Sequence, residues 1–365
     1  VVDAVSVTSS PVRRLVVGVT AVIVFVSMPT LAWADPAVPT HYRSTVTEVR
    51  LADVDNGVGP DDDTEISLDV EIIGGDAFIV IRAYGQRVEV PGYDGEPYVR
   101  IHPEGIVEVN DRSPARWLND ARYGGLEVSV PPSADSSAPP AWTVVGDGGE
   151  LAWHDHRIHF MSPRLPRHVD PTLRQVQHVF DWQVPVVVDG RDVVIAGQLE
   201  WVPGPDAISH VAVVAAALIT AALAARSQHR AATKLTSDRF GFVRLVLAPA
   251  AVVAAMIGLG GWVSLPHGAE GDAVGVVLPV AALILLAVAA TLARQRRDGR
   301  GSLIAAAITA TATLPLAGWV GTQAASLVRP IVPSLWPATV VRISVAVVAA
   351  ALATTWTMAA IARRS

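Results

Sequence analysis

The chain contains no cysteine. Disulfides, thiolate-bound zinc, iron–sulfur clusters, blue-copper centres and thiol nucleophiles are all excluded by that one absence. Charge is scarce as well. Asp, Glu, Lys and Arg make up 17% of the residues, against about 25% in ordinary soluble proteins. Also missing are GxGxxG, a phosphate-binding GK[ST], HExxH and GxSxG. Nothing therefore cradles a nucleotide, and no catalytic motif is legible. What fills the space is apolar: 51% of the 365 residues are hydrophobic, and the mean hydropathy is +0.40.

The charges that are present are segregated. Residues 35–206 carry 29 acidic and 13 basic side chains, whereas the rest of the chain carries 5 acidic and 15 basic. An acidic domain of this kind repels nucleic-acid backbones, so nucleic acid is not an expected partner, while cations are tolerated. The apolar residues are segregated too. Near the N-terminus, Arg13 and Arg14 precede the apolar run 15–26, and Ala32-Trp33-Ala34 has the small-x-small form of a cleavage site. Residues 1–34 therefore read as a signal peptide that would leave Asp35 first in an exported domain, 35–206.

Beyond Gly204-Pro205 lie five apolar segments, at roughly 207–225, 245–265, 273–293, 302–322 and 338–361. Each is close to the ~20 residues that span a bilayer. Basic residues alternate between their connections. Arg226, Arg230, Lys234, Arg239 and Arg244 follow the first segment; Arg294, Arg296, Arg297 and Arg300 follow the third; Arg363 and Arg364 follow the fifth. By the positive-inside rule this predicts an outside β domain, a membrane domain over 207–362 and a cytoplasmic tail, 363–365. Trp262, Trp319 and Trp336 are placed for interfacial anchoring, Arg342 for snorkelling, and Pro249, Pro279 and Pro315 for kinking their helices. No segment carries a central charge of the kind ion relays use, so transport has no support of its own.

Residues 40–205 show short alternating runs ended by Gly, Pro or Asp: EISLDVEII, AFIVIRAYG, QRVEVPGY, YVRIHPEG, DWQVPVVV and RDVVIAGQLEWVP among them. This pattern predicts an all-β, sandwich-like exported domain followed by a five-helix α transmembrane bundle. Asp189-Gly190 marks the clearest hairpin, and Ser113-Pro114 marks a short helix start in SPARWLNDARYG. The acidic run around Asp53, Asp55, Asp61, Asp62 and Asp63 has the hard oxygen ligands calcium takes. It lacks the glycine and glutamate placement of an EF-hand loop and reads as a solvated turn.

The most chemically suggestive stretch is LAWHDHRIHFM, 151–161. On a strand, His154 and His156 share a face roughly 6.5–7 Å apart, and His159 joins them only through a bulge. His102 is the favoured further ligand; His41, His168 and His178 are alternatives. Imidazoles in an acidic field suit copper or zinc. Two other readings stand beside this one: a pH-sensitive contact, and a polar network that holds the β domain together. Five tryptophans, Trp117, Trp142, Trp153, Trp182 and Trp201, are scattered as core residues are.

GYDGEPYVRI, NDRSPARWLNDARYG, AWHDHRIHFM and LEWVPGP, as they stand here, make residues 40–206 resemble actinobacterial envelope proteins that combine a signal peptide, a β-rich exported domain and a C-terminal membrane bundle. The resemblance implies no reaction, and only a loose association with copper handling. Three functions are compatible with these observations. The first is a membrane-tethered extracytoplasmic binding or sensing protein handling a transition metal. The second is a scaffolding envelope protein assembled with a membrane partner. The third is a transporter or membrane-enzyme component.

Overall fold

The computed structural model describes residues 36–52, 66, 68–123, 128–232, 241–265, 269, 273–295 and 299–362. The signal-peptide segment and the acidic run 53–63 lie outside them. Among the described residues ten strands form two antiparallel sheets. The larger joins β1 (Tyr42–Leu51), β10 (Arg191–Trp201), β9 (Gln177–Val188), β4 (Val88–Pro91), β5 (Pro97–Ile101), β6 (Val107–Asn110) and β7 (Trp142–Gly146), in that order. The smaller joins β2 (Leu68–Ile73), β3 (Phe78–Ala83) and β8 (Glu150–Trp153).

The strands follow from period-two patterning. Along β9, Val179, Trp182, Val184, Val186 and Val188 are buried, and β10 answers with Val193, Ile195, Leu199 and Trp201. These pack with Ile79 and Ile81 of β3 in one core between the sheets. The Trp182 indole lies over Gly197, its partner in the ladder, where a Cβ would sit 2.1 Å from a ring carbon. The β9–β10 hairpin turns at Asp189 and Gly190, both at positive φ (48° and 78°), which is the twist a two-residue hairpin needs. The short helix α1 (Pro114–Leu118) starts with proline in its first turn, as expected.

β3 departs from alternation: Phe78, Ile79, Val80 and Ile81 are all fully buried. Its second face, Phe78 and Val80, packs with Ala152 against Ala37, Leu265 and Ala269. The smaller sheet is thus covered on one side by the larger sheet and on the other by Ala37, ahead of β1, and by residues between Val263 and Ala273 that connect two helices.

The helices are α2 (Ala207–Ala232), α3 (Gly241–Val263), α4 (Ala273–Gln295), α5 (Gly299–Thr311), α6 (Thr313–Gln323) and α7 (Ala338–Ala362). Among the described residues four stretches are long and apolar enough to cross a membrane: Val243–Val263, Ala273–Gln295, Leu303–Leu327 and Ala338–Thr357; Ala207–Leu223 is apolar but shorter. The 302–322 segment is broken between α5 and α6. The ring of Pro315 would clash with the Thr311 carbonyl in a continuous helix, and that is where the break falls. α3 and α4 approach so closely at Gly258 that a Cβ there would lie 2.1 Å from the Gly275 carbonyl oxygen, a small-residue crossing of the membrane type.

Two anchoring expectations are corrected. Trp319 is fully buried beside Leu316 and Val345 in the bundle core rather than interfacial. Arg342 does not snorkel to solvent. It is buried, and its guanidinium donates to the carbonyls of Ser326 (2.9 Å), Arg329 (2.8 Å) and Pro330 (2.9 Å).

Candidate functional site

β8 ends at Trp153, and the histidine segment is not a strand. Asp155 accepts from the Arg157 backbone N–H at 3.0 Å and caps a 3₁₀ turn, His156–Ile158. The shared strand face expected for His154 and His156 therefore never forms. The rings still lie near one another, with the His159 centroid 5.5 Å from His154 and 6.5 Å from His156, but two of the three are held by other partners. The Nδ1–H of His154 donates to the Ala77 carbonyl, and the ring stacks on Phe78 with centroids 4.3 Å apart. His156 stacks on Tyr93 at 5.5 Å and donates from Nε2 to the Ala121 carbonyl at 3.1 Å. His159 is fully buried, with Nδ1 3.6 Å from the Asp76 carboxylate and no hydrogen-bond partner at either ring nitrogen. His102 is not with them. It ends β5's turn on the larger sheet and holds Glu108 at 2.7 Å, on the same carboxylate that Arg100 binds.

Among the described residues no group of three or more His, Asp or Glu side chains is placed to hold a metal ion. This overturns the copper or zinc site expected at His154, His156, His159 and His102. The physical reason is placement: the 3₁₀ turn breaks the shared strand face of His154 and His156, and His102 lies on the larger sheet with Glu108. The alternative ligands are occupied similarly: His41 with the Val202 carbonyl at 3.0 Å, His168 with the His178 carbonyl at 3.2 Å, and His178 with Asp181 at 2.8 Å.

The segment builds a buried polar network instead. Asp155 has no exposed surface, and it accepts from Arg157 Nε and Nη2 at 2.7 and 2.6 Å and from Trp153 Nε1 at 3.0 Å. Burial pushes its carboxyl up, but the Arg157 contacts reverse this and hold it below the usual carboxylate value. Asp76, in the β2–β3 turn, is equally buried and receives a two-pronged contact from Arg122. There too burial raises the pKa, and His159 and Arg122 bring it down. Tyr42, beside this pair, is pushed up to about 12 by burial and by the Asp76 charge. Burial, above all, lowers His156.

The network lies at the junction with the helices. Thr40 and Ile331 exchange backbone hydrogen bonds (3.0 and 3.2 Å), and Arg329 Nη1 donates to the Pro39 carbonyl at 2.6 Å. Gly75, at φ +87°, passes so close to this contact that a Cβ would meet Thr40 Cγ2, the Tyr42 carbonyl oxygen and Ile331 Cγ2 at 2.8–2.9 Å. Beside it opens a cleft of about 540 Å³. Its wall includes Thr40, His41, Arg122, Tyr123, His154 and Arg329, and among the described residues no carboxylate lines it. Of the two arginines in that wall, Arg122 is already paired with the buried Asp76, and Arg329 is the second.

Sequence reasoning found the histidines but missed Asp76, Arg122 and Arg329. The only available signal was Gly74-Gly75-Asp76, a turn between two apolar runs. The partners of that turn come from residues too far along the chain for any motif to link them. Comparison with family models, curated proteins and solved structures finds no match.

Proposed function

We propose that this chain is a membrane-anchored, extracytoplasmic binding protein whose junctional cleft takes a small amphiphilic anion. The observation that carries the reading is the lining of the cleft. Arg329, His41, His154 and Arg122, the last paired with the buried Asp76, face it with no lining carboxylate among the described residues, and Val38, Leu165, Tyr42 and Trp201 supply apolar and aromatic wall. A carboxylate or phosphate head would be held by charge-assisted hydrogen bonds and its tail by the apolar side. The charge alternation of the connecting segments supports an outside β domain and an inside C-terminus.

The site straddles the β domain and the Arg329 loop, so a bound ligand would bridge them and report its presence to the helices. The test uses the full chain in zwitterionic nanodiscs. Dodecyl phosphate and dodecanoate are expected to raise the melting temperature, and Arg329→Gln to lose that rise. Equal responses from both proteins, or from an uncharged dodecyl ligand, would count against the anion site.

A further inference from the structure

The 161–176 segment, MSPRLPRHVDPTLRQV, departs from the rest of the β domain. It carries Arg164, Arg167 and Arg174 against one acid, Asp170, in a domain that is otherwise strongly acidic. Only Pro166 and Val169 are buried within it. Apolar side chains stand in the open: Leu173 is 55% and Val176 45% exposed, with Met161 beside the cleft at 38%.

Two observations fix where this surface lies. Arg174 Nη2 donates to the carbonyl of Pro205 at 3.2 Å, two residues before α2 begins. Gln177, the next strand residue, pairs with Trp201 at the end of the chain's path into that helix. The segment is also shaped. Asp170 caps the 3₁₀ turn Pro171–Leu173 through the Thr172 N–H at 2.9 Å, and the Gln177 amide clamps Asp170 on both sides of its backbone. Arg174 follows in the left-handed region at φ 48°. Leu173 is thus presented at a held turn next to the point where the chain enters its first apolar helix.

We propose that residues 161–176 form a membrane-surface contact that inserts Leu173 and Val176 among the headgroups of an anionic phospholipid leaflet, with Arg164 and Arg167 on the phosphates. The occupant is chosen by position and charge. A surface pinned to the start of an apolar helix faces the headgroup layer, and exposed apolar side chains flanked by arginines match that layer's chemistry. Each arginine near an anionic surface contributes about a fivefold preference for it. Ser162, Pro163 and Leu165 of this segment line the anion cleft, whereas Leu173, Val176, Arg164 and Arg167, on which the contact rests, do not, so its failure would leave the cleft reading standing.

Because the chain has no cysteine, single labels are clean. Full-length Leu173→Cys and Tyr84→Cys, each carrying an environment-sensitive fluorophore, are reconstituted in nanodiscs containing phosphatidylglycerol and a headgroup-region spin-labelled lipid. Tyr84 is 62% exposed and follows β3, whose Phe78 end faces the helices; it stands roughly 20 Å further along the strand. The label at 173 is expected to shift to the blue and lose most of its emission to the quencher, while the label at 84 keeps its own. Arg164→Gln/Arg167→Gln, added to Leu173→Cys, is expected to reduce the quenching in anionic discs to the level seen in phosphatidylcholine discs. Equal emission at 173 and 84 overturns the proposal. So does protection at 173 that persists without spin-labelled quenching and cross-links to a protein.

Discussion

Asp155 is a carboxylate with no exposed surface, neutralised by Arg157 two residues on. Removing one partner of such a pair leaves the other charge buried and alone, at a cost of about 3–5 kcal/mol. Arg157→Ala should therefore lower the stability of the β domain by that order, read as a fall in its melting temperature by near-ultraviolet dichroism of the full chain. The neighbouring histidine gives the network a pH dependence of known sign. The folded pKa of His156 is lowered by burial, so below its unfolded value near 6.5 the unfolded chain holds more protons than the folded one. The His156 contribution is fully present above about pH 6.5 and is lost as pH falls from there toward the folded value. Asp155 and Asp76 are depressed carboxylates. Their contribution is present above the unfolded value near 4 and disappears only as pH falls through the folded values. His156→Gln is expected to flatten the loss that begins below about pH 6.5 and to leave the steeper loss below about pH 4 unchanged. A variant whose melting temperature follows the wild-type pH curve throughout would sink this account.

At the scale of elements, the decisive piece is the Gly74-Gly75 turn between β2 and β3. A Cβ at Gly75 meets the contact between Thr40 and Ile331, and φ of +87° disfavours any L side chain there. Gly85 offers a matched control at φ +75° with nothing within 4 Å. Gly85→Ala should cost only the backbone conformation, about 1–2 kcal/mol. Gly75→Ala should cost more and should also detach the turn from the helices, seen as limited proteolysis at residues 36–40 that Gly85→Ala does not provoke. The strands themselves were legible in the sequence because period two survives in β9 and β10, where one face is buried. AFIVIRA also announced a strand, but not that its second face meets Leu265 and Ala269, because a run buried on both sides has no period to read. The histidine turn was misread for a local reason. Strand alternation was extended through His154-Asp155-His156, whereas Asp155 stops the strand by capping the following turn. An aspartate two residues before an arginine, at the end of an apolar run, was the signal for that stop. The five apolar segments were legible because length and composition suffice for them. The pairing of their loops with the β domain was not, since Arg329 and Pro39 are 290 residues apart.

At the scale of the whole molecule, Arg342 connects the membrane part to the β domain without touching the latter. Its guanidinium gathers the carbonyls of Ser326, Arg329 and Pro330. That gathering shapes the loop whose next residue, Ile331, pairs with Thr40, and whose Arg329 side chain reaches Pro39. The cleft opens beside this pairing and includes Arg329 in its wall. A planar guanidinium bridges three carbonyls in fixed directions, and an ammonium at the same place would not hold the same fork. Arg342→Lys should therefore preserve the charge and the helices but release the loop. Hydrogen exchange at the Thr40 and Ile331 amides should accelerate in this variant, while the β9–β10 ladder keeps its protection. If the cleft depends on that loop, the same variant should also lose the melting-temperature rise given by dodecyl phosphate, as Arg329→Gln does. Unchanged exchange at Thr40 would show that the β domain is held by Phe78 and Val80 against Leu265 and Ala269 alone. The helix-borne arginine would then have no part in shaping the cleft.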